Sequence, residues 1–248
     1  PEHPTAIPYV TSYYSRRWGF CLTQEQRDAL VDGEYHAVID ATLAPGSLTY
    51  GELVIPGDTD DEVLISTYVC HPSLANNELS GPMVATALAR WLAALPRRRF
   101  TYRFVFAPET IGAITYISGN LDHLRTHVVA AVNLTCIGDD GDYSYLASRT
   151  GDTSIDRIAR RVVERTPRPV MYSYLDRGSD ERQYGMPGVD VPMISLMRTK
   201  YGVYPEYHTS LDDLTVVTPT GLQGGLDLVR DVIAELESSD YWRTTVLG

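Results

Sequence analysis

Four short, nearly unbroken apolar runs constrain this chain more than any other feature: VLISTYVC (63–70), YRFVFAP (102–108), VVAAVNLTCIG (128–138) and VPMISLMR (191–198). Runs of this length without strict alternation fit strands that are covered on both faces. The sequence between them has helical spacing. Val84, Leu88, Leu92 and Leu95 mark a helix over 81–95 that Pro96 stops, and ETIGAITYISGN leads into a second. Residues 152–165 form an amphipathic helix, with Asp152 or Thr153 as its cap and Ile155, Ile158, Val162 and Val163 on the buried side. A last helix runs from about Gly221 to Leu236. Strands alternating with helices predict an α/β fold, a mostly parallel central sheet with helices on both faces. Sheets of this kind hold their active sites at the carboxyl ends of the strands.

The first 50 residues are aromatic and irregular, with a short helix signal in TQEQRDAL from Thr23. EYHAVIDATL and SLTYGELVIPG alternate on either side of Pro45-Gly46, which predicts a hairpin. The expected organisation is an N-terminal arm and hairpin over 1–47, packed on a single domain over 48–248. Composition narrows the function classes. A formal net charge of −11 repels phosphate backbones, so no nucleic-acid partner is expected, and Arg97, Arg98 and Arg99 read as a solvated turn. No run approaches the roughly 20 apolar residues of a membrane span and the start lacks signal-peptide order, so a membrane role is not expected either. Cys21, Cys70 and Cys136 are odd in number and widely spaced, which argues against a disulfide framework and for a reducing, cytoplasmic setting. The 17 tyrosines suit an aromatic contact surface, as between copies in a homo-oligomer.

The chemistry-bearing residues follow the strands. HPSLANNELSG, ETIG, TCIGDD, RGSDERQYGMPG and PEYHTSLDDL flank the apolar runs, which would bring His71, Asn77, Glu78, Glu109, Asp180, Glu181 and His208 to one crevice. Two imidazoles among several carboxylates suit a divalent metal, zinc by ligand type, with one further carboxylate left off the ion to take a proton from water. Blander readings compete. Glu78 and Glu109 precede helices and would favour the positive helix end in any case, and Asp180 and Glu181 have Arg177 and Arg182 as salt-bridge partners nearby. His36, His123 and His127 lack such context. Cys70 beside His71 is a poor nucleophile–base pair, because the two are adjacent at a strand end, where neighbouring side chains point to opposite faces.

At these turns the chain resembles the clan of zinc aminopeptidases that also contains glutaminyl cyclase, and within it a bacterial group of aminopeptidase-like proteins found among polysaccharide and natural-product biosynthesis genes. CHPSLANNELSG is similar to the clan's first metal-binding turn, PETIG to its Glu-Glu-x-Gly turn, NLTCIG to its Asn-Leu-Asp-x-Ile-Gly strand end, SDERQYGMPGVDVP to its Ser-Asp-His…Gly-Ile-Pro segment, and YPEYHTSLDDL to its closing His-Thr-x-x-Asp turn. The resemblance covers roughly 48 to 237 and implies an aminopeptidase-like catalytic domain. His71 and His208 match metal-binding histidines, and Glu109 matches the general base. The bridging aspartate, the second glutamate and the strand-end aspartate fall on Asn77, Thr110 and Thr135, and neutral oxygens there cannot offset two zinc ions about 3.5–4 Å apart. The implied site is therefore one zinc ion on His71, Glu78 and His208, with Asn77 the alternative to Glu78. Glu109 would act as base and Asp180 would orient or share a proton. Arg182, Arg198, Tyr201 and Tyr207 are candidates for gripping a small-molecule or short-peptide substrate. The expected reaction is metal-assisted hydrolysis of a peptide or other amide bond. Non-hydrolytic binding of a peptide or amino acid, and cyclase-type amide transfer, are the alternatives.

Overall fold

The structure is a computed structural model, and it describes residues 3–11, 15, 17–42 and 44–239. Strands β1 (Gly51–Ile55), β2 (Glu62–Tyr68), β3 (Thr101–Ala107), β4 (Val128–Leu134), β5 (Tyr143–Leu146), β6 (Pro169–Tyr172) and β7 (Met193–Met197) form one sheet in the order β1-β3-β2-β4-β7-β5-β6. The helices are α1 (Gln24–Asp28), α2 (Ser80–Ala94), α3 (Ile111–His127), α4 (Ser154–Glu164), α5 (Glu181–Tyr184) and α6 (Pro219–Ser238), and a π-helical turn, Ala75–Leu79, leads into α2.

The four strands expected from the apolar runs are the central block. β3, β2, β4 and β7 are mutually parallel, with Ile65 of β2 opposite both Phe104 and Val132, and Val132 opposite Ile194. All seven residues of β2 are buried, as a strand covered on both faces requires. Alternate side chains then supply two cores. Val63, Ile65, Ala130, Val132 and Leu134 meet α2, α4 and α6 through Val84, Leu88, Leu92, Ile155, Ile158, Val229 and Ile233. Leu64, Ala131 and Met193 meet α3 and α5 through Ala113, Tyr116, Ile117, Leu124 and Tyr184. The result is three layers, helices on each face of a mixed sheet.

The flanks differ from the sequence reading. The hairpin over 34–55 does not form: among the described residues 29–50 there is no strand, and residues 31–40 are exposed throughout. SLTYGELVIPG instead contributes β1, which pairs antiparallel with β3. Alternation in 34–42 has no core to face, whereas β1 gains a ladder on an existing sheet edge. β5 and β6 carry no long apolar run and were not expected. β5 is antiparallel to β7 and parallel to β6, so the parallel block ends at β7. The arm's α1 has a reciprocal Thr23–Gln26 capping box yet buries none of its residues. No helix among the described residues is long and apolar enough to cross a membrane.

Candidate active site

The parallel strands end on one side of the sheet, and the turns that follow them converge there. β2 stops at Tyr68, so the alternation that would separate Cys70 from His71 stops with it. In the turn beyond, Cys70 Sγ lies 2.8 Å from His71 Nδ1. The expectation that these side chains diverge is thereby corrected. A nucleophilic pair does not follow, because burial, reinforced by Glu78 and Glu109, pushes the Cys70 thiol up to about 12.

Glu78 holds this turn in shape. Its two carboxylate oxygens accept the backbone N–H groups of Cys70 at 2.7 Å and His71 at 2.8 Å, and Oε2 lies 3.3 Å from His71 Nδ1. The π-helical turn makes this possible by bringing a side chain seven residues on back over the strand end. In this geometry Glu78 orients His71 from the Nδ1 side. The Nε2 side of the ring faces Glu109 Oε2 at 3.6 Å.

Glu109 sits in a strained turn. Ile111 N–H donates to the Glu109 carbonyl at 2.7 Å across Thr110, whose φ of 63° and ψ of −70° are those of the rare three-residue γ-turn. Ser179 Oγ donates to Glu109 Oε1 at 2.8 Å, which leaves Oε2 toward His71. Asp180 is buried beside it and accepts the Thr110 N–H at 2.8 Å. Burial first, and the Glu109 charge second, raise Asp180 to about 8, and burial raises Glu109 too. Burial beside a second carboxylate thus favours the protonated form of Asp180.

His208 lies in a turn at φ 55°, stacked on Tyr207 with ring centroids 3.9 Å apart and 5.3 Å from the His71 ring. Burial and His71 lower it to about 4, so it is neutral at pH 7 and keeps a lone pair for a ligand. Its Nε2 is buried without a hydrogen-bond partner. Asn77 Oδ1 is in the same condition, while Asn77 Nδ2 donates to Tyr68 Oη at 2.7 Å. Tyr68 Oη is also 2.5 Å from Thr135 Oγ1.

The remaining candidates divide. Arg182 stays at the exposed rim, bonded to the Ser179 carbonyl and Thr110 Oγ1. Arg198 is buried, with its guanidinium committed to the carbonyls of Gly141, Asp142 and Gly221. Tyr201 donates to Glu181, whose Oε1 also accepts the N–H groups of Gly178 and Ser179. Glu181 and Tyr201 therefore brace the loop that presents Ser179 and Asp180. Sequence reasoning missed Tyr9, whose ring centroid is 5.1 Å from both His71 and His208, and Ser179. Nothing in the local sequence around Tyr9 marks it. Cys70, His71 and Glu109 form a group whose potential ligand atoms lie within 4.8 Å of one another, close enough to hold a metal ion.

Residues 6–239 match the family described as Domain of unknown function (DUF4910). The chain belongs to this family. It is 42% identical over 240 residues to a Clostridium acetobutylicum protein provisionally described as a polysaccharide biosynthesis protein with an aminopeptidase-like domain, covering 96% of this chain and 55% of that relative. A C. acetobutylicum crystal structure, provisionally described as a peptidase, matches at the same identity with a TM-score of 0.91 over 96% of this chain and 56% of that one. The chain thus spans about half the length of these relatives. An aminopeptidase from Aneurinibacillus sp. strain AM-1 shares the fold at 19% identity, with a TM-score of 0.64 over 75% of this chain and 47% of that one. Porphyromonas gingivalis glutaminyl cyclase does so at 14%, with a TM-score of 0.61 over 76% and 77%. The fold is that of the zinc aminopeptidases and glutaminyl cyclases, and the domain is aminopeptidase-like.

Proposed function

We propose that this domain is a single-metal, aminopeptidase-like hydrolase of an amide bond in a small or short-peptide substrate. The observation that carries the reading is the pair of buried atoms without partners, His208 Nε2 and Asn77 Oδ1, in the turns that flank the His71–Glu109 pair. Such atoms cost free energy unless something fills the space between them. His71 Nε2, His208 and Asn77 would hold a divalent ion, with Glu78 orienting His71 from behind. Bound there, zinc supplies Lewis acidity toward a carbonyl oxygen and a water molecule.

The protein's own groups do the rest. Ser179 fixes one oxygen of Glu109, and the other takes a proton from water as it attacks the amide carbon and returns it to the departing nitrogen, giving an acid and an amine. Asp180, held toward its protonated form, lies beside Glu109. Arg182, at the rim, is placed for a substrate carboxylate. The relative's description supports an amide-bearing biosynthetic intermediate as substrate.

Elemental analysis joined to one variant series tests this. Zinc is expected near one equivalent in wild type and Cys70→Ser, and lost in His71→Ala and His208→Ala. Glu109→Gln should keep its zinc and lose about 10²–10⁴-fold in release of p-nitroaniline from L-leucine p-nitroanilide. Wild type that takes up no zinc favours the non-hydrolytic binding domain instead.

A further inference from the structure

Among the described residues, the N-terminal arm reaches the site at one place. Ile7 N–H donates to Ser210 Oγ at 3.0 Å, Ser210 N–H to the Ile7 carbonyl at 2.8 Å, and Tyr9 N–H to the His208 carbonyl at 2.8 Å. Pro8 and Thr209 form the antiparallel bridge between these bonds, and Ala6 just before them is buried. The rest of the described arm is largely exposed, so this short strap is where the arm is pinned. Its anchor is the turn that carries His208, on the residue whose backbone has positive φ.

The strap ends in a ring. Tyr9, His71 and His208 form a triangle with centroids 5.1, 5.1 and 5.3 Å apart, Tyr9 meeting His71 tilted at 48° and His208 edge-on at 68°. The other neighbours of the two imidazoles come from the core domain: Tyr68 beside His71, and Tyr207 stacked on His208. Tyr9 is thus a wall contributed from outside that domain, and it is only half-buried. Tyr9 also lines a pocket of about 430 Å³ in the arm, with Val10, Arg17, Trp18 and Phe20 among others. Trp18 and Phe20 are exposed there and meet edge to face.

We infer that Tyr9 is a specificity-determining residue: the strap closes one side of the His71–His208 crevice, and the Tyr9 ring selects substrates whose group next to the amide is apolar. This rests on the reading of the His71–His208 crevice as the substrate site. An aromatic wall beside the two imidazole rings favours apolar contact there over a charged group, which would lose its water on entering.

Two measurements separate this inference from that reading. The first needs neither metal nor turnover. Diethyl pyrocarbonate labelling read by peptide mass spectrometry should proceed several-fold faster at His208 in Tyr9→Ala than in wild type, with Tyr9→Phe unchanged and the exposed His36 as internal reference. Ser210→Ala, which loosens the strap and leaves the ring intact, should fall between. Equal rates at His208 in all four proteins would overturn the wall. The second compares L-leucine, L-alanine and L-aspartate p-nitroanilides. Tyr9→Ala should raise KM for the leucine substrate several-fold with little change in kcat, and should narrow the leucine-to-aspartate preference. An unchanged preference overturns the specificity role. If wild type turns over none of them, the hydrolase reading fails while the labelling still decides whether Tyr9 guards the histidines.

Discussion

Backbone strain gathers at the residues that carry the chemistry. Of the five non-glycine residues with positive φ among those described, Ser73, Thr110, Cys136 and His208 lie in the turns that build the site. Such conformations cost of order 1–3 kcal/mol each and persist only where the surroundings dictate them. At Thr110 the dictating contacts are visible: Asp180 takes its N–H and the Glu109 carbonyl takes the next. Asp180 also sets a pH dependence. Its carboxyl group releases its proton near pH 3.8 when unfolded but only near 8 when folded, so the folded state binds more protons between those values. Stability from this group therefore falls as pH rises from about 4 to 8. His208 acts oppositely below 6.5, because its folded value near 4 makes the folded state bind fewer protons there. The two oppose each other in acid, and above about 6.5 the His208 contribution ends while that of Asp180 continues. Wild type should lose Tm across that upper window in thermal scans, and Asp180→Asn should lose less. Equal slopes would refute the assignment. His71, Glu109, Asp180 and His208 were legible because each ends or flanks an apolar run. The role of Glu78 was not, since its partners are backbone N–H groups seven and eight residues back, which no spacing rule announces.

Elements place these residues by their ends. The π-helical turn at Ala75–Leu79 and the loop bearing His208 are joined by Asp212, which is fully buried. Its carboxylate accepts the N–H groups of Asn76 and Asn77 at 2.7 and 2.9 Å and the Tyr204 hydroxyl at 2.9 Å. Its carbonyl accepts the Ala75 N–H at 2.8 Å. One side chain thus locks the Asn77 turn to the His208 turn. Asp212→Ala leaves three buried donors without a partner and should cost about 3 kcal/mol or more, read as a shift in urea midpoint. Asp212→Asn keeps one acceptor and should cost less. At this scale the central strands and α2, α4 and α6 were plain from periodicity, because each buries a full stripe or face. The hairpin over 34–55 misled for the converse reason: alternation states which face would be buried but supplies nothing to bury it against. β5 and β6 went unseen because four-residue strands such as YSYL and PVMY hold too few side chains to show a period.

For the molecule as a whole, the sheet order puts β2 and β4 at the centre and β1 and β6 at the rims. The outer rim at β6 has a particular guard. Pro167 and Pro169 flank Arg168 where the strand begins, and all three are exposed. Proline has no N–H to offer a further strand, and arginine brings charge to an edge that also exposes Met171 and Leu175. Replacing Pro167 and Pro169 with valine should raise light scattering on storage at high protein concentration while leaving Tm within a few degrees. Unchanged scattering would mean the edge is protected by something other than these prolines. A sheet with one long side devoted to chemistry must keep its two rims from recruiting copies of itself. In a crowded cell, Pro167, Arg168 and Pro169 at the start of β6 therefore bear on how much of this protein stays dispersed, although none of them lies in the candidate site.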